Sequence, residues 1–382
     1  MSLPRIKLLL VTNAFYPEIS PRSYRATELA REFSRMGHEV VVITKFRNHD
    51  YNDFKRETPI VIKMWESERL PEVRIARRNP WAFLSRALKR ALLVLFEYPA
   101  IEDMHHVRKM LKREVGYDMM ISFAVPFPVH WGVAWAKKGN QHASRLWVAD
   151  CGDPYMFARL DTFKKPFYFK YLEWSFCKKC DFITVPFEEM RNQFYPQFKT
   201  KIKVIPQGFN FDEIKTHEGE VKNDITTFLF AGSVIPGKRD LSLFLDYISS
   251  LEIDFLFLVY TNQAEWFNHY KPRLGDKLNI HSYIDRIALI SIMSKVDFLV
   301  NVDTELDSLT NVEAVPSKLI DYALSGRPIL NLNSANLDID LVNEFLNGDF
   351  SRQRIINKGA YNIKVVSDAF LKLFTGSDKL AL

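Results

Sequence analysis

The stretch "KLLLVTNAFYPEISPRSYRATELAREFSRMGHEVVVIT", residues 7–44, decides the fold. Within its first six residues, Lys7 to Thr12, the four central ones, Leu8 to Val11, are all apolar. That density suits a strand covered on both faces rather than one with a wet side. "YRATELAREFSRMG" then places Ala26, Leu29, Ala30, Phe33 and Met36 on one helical face, and Gly37 supplies a stop. "EVVVIT" follows as a second buried strand. Strand, amphipathic helix and strand in succession are the unit from which parallel sheets are built.

Working outward, the same rhythm continues in "DMMISF", "RLWVAD", "DFITV" and "KIKVIP". It restarts near residue 226 with "TTFLFAG", "DFLFLVY", "LNIHSY", "DFLVNV" and "PILNLN". Between the halves lies "EIKTHEGEVKND", residues 213–224, a charged surface connector. At 382 residues the chain is too long for one typical core. The pattern therefore predicts an α/β protein of two successive open sheets, with domains at 1–205 and 206–382. The last segment, "AYNIKVVSDAFLKLFTG", is helical in period. Whether it packs back on the first domain is left open by the sequence.

Composition narrows the class. Hydrophobic residues at 47% and charged residues at 26% are those of a globular chain, and 30 Phe against 14 Gly exclude linker-like arrays. Cys151, Cys177 and Cys180 are too few for a disulfide framework, and the lone "CKKC" lacks the second pair a zinc site needs. Reduced thiols and the lack of a signal peptide at the start predict a cytoplasmic protein. "RIKLLLVT" is too short to span a bilayer, and "AFLSRALKRALLVLFEYPAI" is interrupted by Arg86, Lys89, Arg90 and Glu97.

No G-x-G-x-x-G follows the first strand, no P-loop occurs, and no H-E-x-x-H or metal-spaced acidic cluster is present. Two other stretches stand out. "AGSVIPGKRD" follows the first strand of the second half, where open α/β sheets bind ligands. Gly232, Ser233 and Gly237 allow close backbone approach, and Lys238 and Arg239 suit a departing diphosphate. An ordinary turn with a solvated basic pair is the other reading. In "EAVPSKLIDYALSG", residues 313–326, Pro316 suits a first helical turn, and the free N–H groups at Ser317 and Lys318 favour an anion. Leu319, Ile320, Ala323 and Leu324 form the buried stripe, leaving Ser317, Lys318 and Asp321 on the other side, with Glu313 just ahead. A helix cap with solvated acids would look the same.

Together these stretches resemble the GT-B glycosyltransferases, specifically the retaining family-4 type, over nearly the whole chain. "WVADCGDPY" and "KVIPQGFN" are similar to that family's acid-containing segment and its crossing, "AGSVIPGKRD" to its diphosphate loop, and Glu313 to Asp321 to its paired acids. The resemblance implies two Rossmann-like domains facing across a cleft, with the acceptor on the first and the nucleotide-sugar on the second. By it Glu313, Lys238, Arg239 and His130 are the catalytic candidates. Gly232, Ser233, Ser317, Lys318 and Asp321 hold the donor, with Asp321 on the ribose. Arg22, Arg25, Asp150 and Asp153 fall on the acceptor side. No metal or other cofactor is implied, because protein cations neutralise the leaving group. His130 also reads as a helix-start histidine satisfied by its neighbours.

Three departures from the pattern stand in the chain: Ser20, Pro21 and Arg22 replace a Gly-Gly pair, Gln207 and Asn210 alter the crossing, and Asp321 replaces Glu. Residues 74–113 are densely basic, with Trp81, Phe83, Leu84, Leu88, Leu92 and Leu93 at helical spacing. Such a segment can lie on an anionic membrane, or form helices packed on the sheet with a solvated basic face. No motif of nucleic-acid recognition accompanies the charge. The expectation is a hexosyltransferase moving a sugar to a glycan or lipid-linked acceptor of surface polysaccharide. A nucleotide-sugar 2-epimerase or an inactive binding protein would share the architecture.

Overall fold

The computed structural model describes residues 4–18, 20–66, 70, 82–137, 143–158, 164–212, 214, 221, 223–237, 239–303 and 317–378. Two compact units emerge: residues 1–209 with 363–382, and residues 210–362.

The first unit carries seven strands: β1 (Lys7–Thr12), β2 (Glu39–Lys45), β3 (Val61–Trp65), β4 (Tyr117–Ala124), β5 (Ser144–Cys151), β6 (Phe182–Val185) and β7 (Ile202–Val204). They form one sheet in the order β3-β2-β1-β4-β5-β6-β7, and every pairing is parallel. Its helices are α1 (Pro21–Arg35), α2 (Asn52–Glu57), α3 (Ala82–Phe96), α4 (Ile101–Leu111), α5 (Pro128–Ala136) and α6 (Phe169–Lys179).

Alternation along β1 shows why its sequence is apolar throughout. Leu8 and Leu10 join Ala26, Leu29 and Phe33 of α1 on one face. Leu9 and Val11 join Val107 of α4 and Trp131 of α5 on the other. Helix α1 begins earlier than its apolar period: Ser20 is its N-cap, its Oγ accepting from the Ser23 N–H at 3.2 Å, and Pro21 occupies the first turn. The closing helix α12 (Ile363–Asp378) returns to this unit, with Ile363, Val366, Phe370 and Phe374 in the same core cluster as α1.

The second unit has β8 (Thr226–Ala231), β9 (Phe255–Tyr260), β10 (Leu278–His281), β11 (Phe298–Asp303) and β12 (Ile329–Asn333), in the order β10-β9-β8-β11-β12 and again all parallel. Around them run α7 (Ser242–Ser249), α8 (Lys271–Leu274), α9 (Arg286–Met293), α10 (Ser317–Ser325) and α11 (Ile339–Leu346). Phe228, Phe257 and Phe298 come from three neighbouring strands. Phe228 stacks on Phe257 and Phe298 at 4.9 Å, which accounts for part of the unusual phenylalanine content.

In each sheet the chain runs outward from a central strand to one edge, then jumps back and runs to the other. The strand order reverses between β1 and β4, and between β8 and β11. At such a switch point the connections leave in opposite directions, and the crevice beyond the strands' carboxyl ends opens for a ligand.

Candidate functional site

In the second unit the switch point lies between Ala231, at the end of β8, and Asp303, at the end of β11. Gly232 leaves β8 with φ +143°, a conformation that side-chain-bearing residues rarely adopt, and donates its N–H to the Tyr260 carbonyl. The loop beyond it folds tightly. Ile235 and Arg239 exchange backbone hydrogen bonds of 3.0 and 2.9 Å, and Gly237 turns the chain at φ +70°. Val234 donates its N–H to Gln263 Oε1 at 2.7 Å. Ser233 Oγ stands 3.4 Å from the exposed Tyr283 hydroxyl.

Helix α10 is anchored against these strand ends by a residue that the sequence reading did not single out. Tyr322 is fully buried, and its hydroxyl accepts the Ala231 N–H at 2.8 Å while reaching the Val300 carbonyl at 3.1 Å. Leu319, Ile320 and Leu324 are buried as the stripe predicts, whereas Ala323 is only half-buried.

The anchoring carries Lys318 to the mouth of the switch point. Its side chain passes within 3.9 Å of where a Cβ on Gly232 would stand, and its ammonium lies 5.3 Å from the Phe230 ring centre. Burial, together with the nearby Arg239 and Arg354 cations, pushes the Lys318 ammonium down to about 8, against the pull of Asp303. Asp303 is held by Asn301 Nδ2 at 2.8 Å, by Asn331 Nδ2 at 2.9 Å and by Arg354. Lys318 thus feels two cations from separate segments, Arg239 and Arg354, and the Asp303 carboxylate, which Arg354 itself pairs with. Asp321 sits one turn into α10, its Oδ1 accepting Arg286 Nε and Nη2 at 2.9 and 2.5 Å. Burial raises the Asp321 carboxyl, and Arg286 opposes that rise. Arg286 opens α9 behind the N-cap Asp285.

Lys238 and Glu313 lie outside the described residues, as does the side chain of Ser317, the first residue of α10. Among the described residues no three His, Cys, Asp or Glu side chains gather as metal ligands.

The first-unit candidates divide. Arg22 and Asp153 meet near the surface at 3.0 Å, with the Arg22 guanidinium lying over Gly152 where a Cβ would collide with it at 1.5 Å. Arg25 and Asp150 do not stand as acceptor contacts. Arg25 gives Nε and Nη2 to Asp150 at 2.6 and 2.7 Å, and its other donations go to the carbonyls of Ile205 and Pro206. Thr184 Oγ1 completes Asp150 at 2.6 Å, and both partners are buried. The pair braces α1, β5 and β6 against the chain just ahead of the unit boundary.

His130 is likewise committed to the core rather than offered to a substrate. It is fully buried, between Phe127 and Phe176. Trp147 Nε1 donates to Ser122 Oγ, which also shares a hydrogen bond of 2.8 Å with His130 Nδ1. Nε2 faces Cys151 Sγ at 3.5 Å. Burial lowers the ring to about 4, so it stays neutral at pH 7. The cysteines are free and buried, and desolvation holds all three thiols above their ordinary range.

Comparison with known proteins fits this architecture. Residues 23–213 match the family model described as Glycosyltransferase Family 4. No curated protein sequence matches the chain. Among solved structures, a glycosyltransferase from Rickettsia africae ESF-5 aligns at 13% identity over 98% of this chain and 99% of its own, with a TM-score of 0.60. The lipopolysaccharide outer core galactosyltransferase WaaB aligns at 12% identity over 97% of this chain and 100% of its own, also at 0.60. The Anabaena protein Alr3699/HepE, solved with UDP, aligns at 11% over 98% of both chains, with a TM-score of 0.58.

Proposed function

The chain belongs to Glycosyltransferase Family 4 and has the GT-B fold, and from that premise we propose that it transfers a sugar from a nucleotide-sugar donor to a glycan or lipid-linked acceptor. The observation that carries this reading is Lys318, whose side chain passes within 3.9 Å of where a Cβ on Gly232 would stand at the β8–β11 switch point, with Arg239 and Arg354 near enough to disfavour its charge. Breaking a glycosidic bond to a nucleoside diphosphate leaves growing negative charge on the β-phosphate. Cations already fixed in place stabilise that charge without reorganising. The N–H groups opening α10 add their dipole to the same end. In this reading Asp321, oriented by Arg286, accepts from the ribose hydroxyls, and Gly232 lets the diphosphate approach the backbone. Lys238 and Glu313 complete the site, the latter orienting the transferred sugar.

These protein cations take the part a divalent metal plays elsewhere, so turnover should survive chelation. The first unit would receive the acceptor, with Arg22 and Asp153 the partly exposed polar pair there. Retention of anomeric configuration, a hexose as the group moved, a role in surface polysaccharide and a cytoplasmic site of action complete the proposal. No described helix is long and apolar enough to cross a membrane. Contact with an anionic membrane through residues 74–113 would keep the enzyme beside a lipid-linked acceptor.

The deciding experiment incubates the protein with UDP-, GDP- and dTDP-sugars, with and without a lipid extract, and follows the donor by NMR. Loss of one donor with release of its nucleoside diphosphate and a new glycoside supports transfer. An epimerised donor with no glycoside would reassign the protein as an isomerase, and an unchanged panel would leave only a binding role.

A further inference from the structure

The two strands that flank the second unit's switch point stop pairing with each other before they end. Strand β8 stays in register with β9 as far as Ala231 opposite Tyr260, and Gly232 extends that pairing with its N–H on the Tyr260 carbonyl at 3.0 Å. Strand β11 stays with β12 as far as Asp303 opposite Asn333. Between β8 and β11, among the described residues, register is kept by Phe228 opposite Phe298 and Leu229 opposite Leu299 alone. One step further, an unbroken parallel ladder would bring the Val300 carbonyl to the Ala231 N–H.

A side chain stands in that gap. The Tyr322 hydroxyl accepts the Ala231 N–H at 2.8 Å and gives its own proton to the Val300 carbonyl at 3.1 Å, nearer than the Ala231 carbonyl at 3.4 Å. Burial raises the phenol, so the hydroxyl keeps its proton for that donation. One ladder bond is thus replaced by two bonds through the oxygen, and neither backbone group is left unpaired. What changes is the spacing, because an oxygen lies between two groups that would otherwise meet. Lys318 stands one turn ahead of Tyr322 on α10 and shares its side of the helix. Its side chain passes within 3.9 Å of where a Cβ on Gly232 would stand, so the strand end that Tyr322 holds is the one that Lys318 leans over.

We infer that the Tyr322 hydroxyl is a wedge: it takes the place of one β8–β11 ladder bond, parts the two strands at the switch point, and so sets Gly232 against Lys318 for the phosphates of the donor. Tyr322 is therefore a positioning residue, acting through the strand ends rather than by touching the ligand. A ring that served packing alone would need no oxygen, and the ladder could close beneath it. The part that concerns phosphates rests on the proposed donor site. The parting of the strands does not.

The test is Tyr322→Phe, which removes the oxygen and keeps the ring. A crystal structure of the variant without ligand is expected to show the Ala231 N–H bonded directly to the Val300 carbonyl. Strands that stay parted around a water would overturn the wedge. In calorimetry the variant should bind the nucleoside diphosphate that the wild type prefers about tenfold more weakly. Binding of the matching nucleoside should be unchanged, because only the phosphate end is displaced. Phe345→Leu, a core change on α11, should lower the unfolding midpoint yet leave both affinities as they are. Equal losses for nucleoside and diphosphate, no loss, or the same loss in the Phe345 variant would overturn the positioning role. If Tyr322→Phe did not fold, the unaltered protein would still decide. NMR should find the Tyr322 hydroxyl proton beside the Ala231 amide proton, and an Ala231 amide bonded straight to Val300 would refute the wedge. A wild type that binds no nucleoside diphosphate, with a ladder that closes in the variant, would remove the donor site and leave the wedge standing.

Discussion

Replacing Lys318 by methionine tests the donor site from two directions at once. The free protein holds this ammonium at about 8, against an ordinary lysine value of 10.5. The causes are burial first, then the Arg239 and Arg354 cations. The gap corresponds to about 3 kcal/mol that the folded protein gives up to keep the residue charged. The group's folded value lies below its unfolded one, so stability rises as pH increases from 8 toward 10.5 and is lost as pH falls through 8. Methionine fills nearly the same volume without a charge. At pH 7 the Lys318→Met protein should therefore be more stable than wild type, by up to about 3 kcal/mol, and the advantage should vanish above pH 10.

Ligand binding should move the other way. A nucleoside diphosphate supplies the missing counter-charge and holds Lys318 protonated, so wild-type affinity should fall about tenfold for each pH unit above 8. The variant should bind more weakly at pH 7 and show no such slope. Urea unfolding at pH 7 and pH 10, paired with calorimetric titration across the same range, reads both effects. A variant less stable than wild type at pH 7, or a pH slope that persists without the lysine, would refute the reasoning.

Three further outcomes follow from other parts of the molecule. Arg25→Met should cost about 3–5 kcal/mol by leaving Asp150 buried without its partner, and Arg25→Met with Asp150→Leu should recover most of it in urea unfolding. His130 is held at about 4 by burial, below its ordinary 6.5. Stability should therefore be lost as pH falls from 6.5 through 4, by up to about 3 kcal/mol, and His130→Gln should flatten that acid limb. Arg286→Gln removes the cation that opposes the rise of the Asp321 carboxyl. Nucleotide binding by that variant should weaken between pH 7 and 5 more steeply than wild type, measured by calorimetry.

Much of the fold can be read from local chemistry. Strands such as β1 and β8 are buried on both faces, so their apolar density shows in sequence. Strand β3 does not announce itself: it is an edge strand paired only with β2, and Val61, Ile62, Lys63 and Met64 are not buried. The start of α1 lies ahead of the segment that reads as helical from its apolar period: Ser20 caps the helix and Pro21 opens it. The return of α12 is a long-range packing choice that no local pattern encodes. The same holds for the site. Gly232 and Lys318 follow from a loop and a helix start, but Arg286, Tyr322 and Arg354 join them only through tertiary contact. Arg25, Asp150 and His130 are of types that serve catalysis or a core equally well. Burial and hydrogen-bond partners decide between those roles, and sequence carries neither.

The central claim is that the second unit holds a nucleoside diphosphate at the β8–β11 switch point. Thermal unfolding against UDP, GDP, dTDP, ADP and CMP tests it most directly. A ligand at about a hundred times its dissociation constant stabilises by about 2.7 kcal/mol, enough to move a midpoint by a few degrees. The account predicts a shift with one nucleoside diphosphate that is lost in Asp321→Ala and reduced in Arg354→Gln. No shift with any of the five, or one that both variants leave intact, would contradict it.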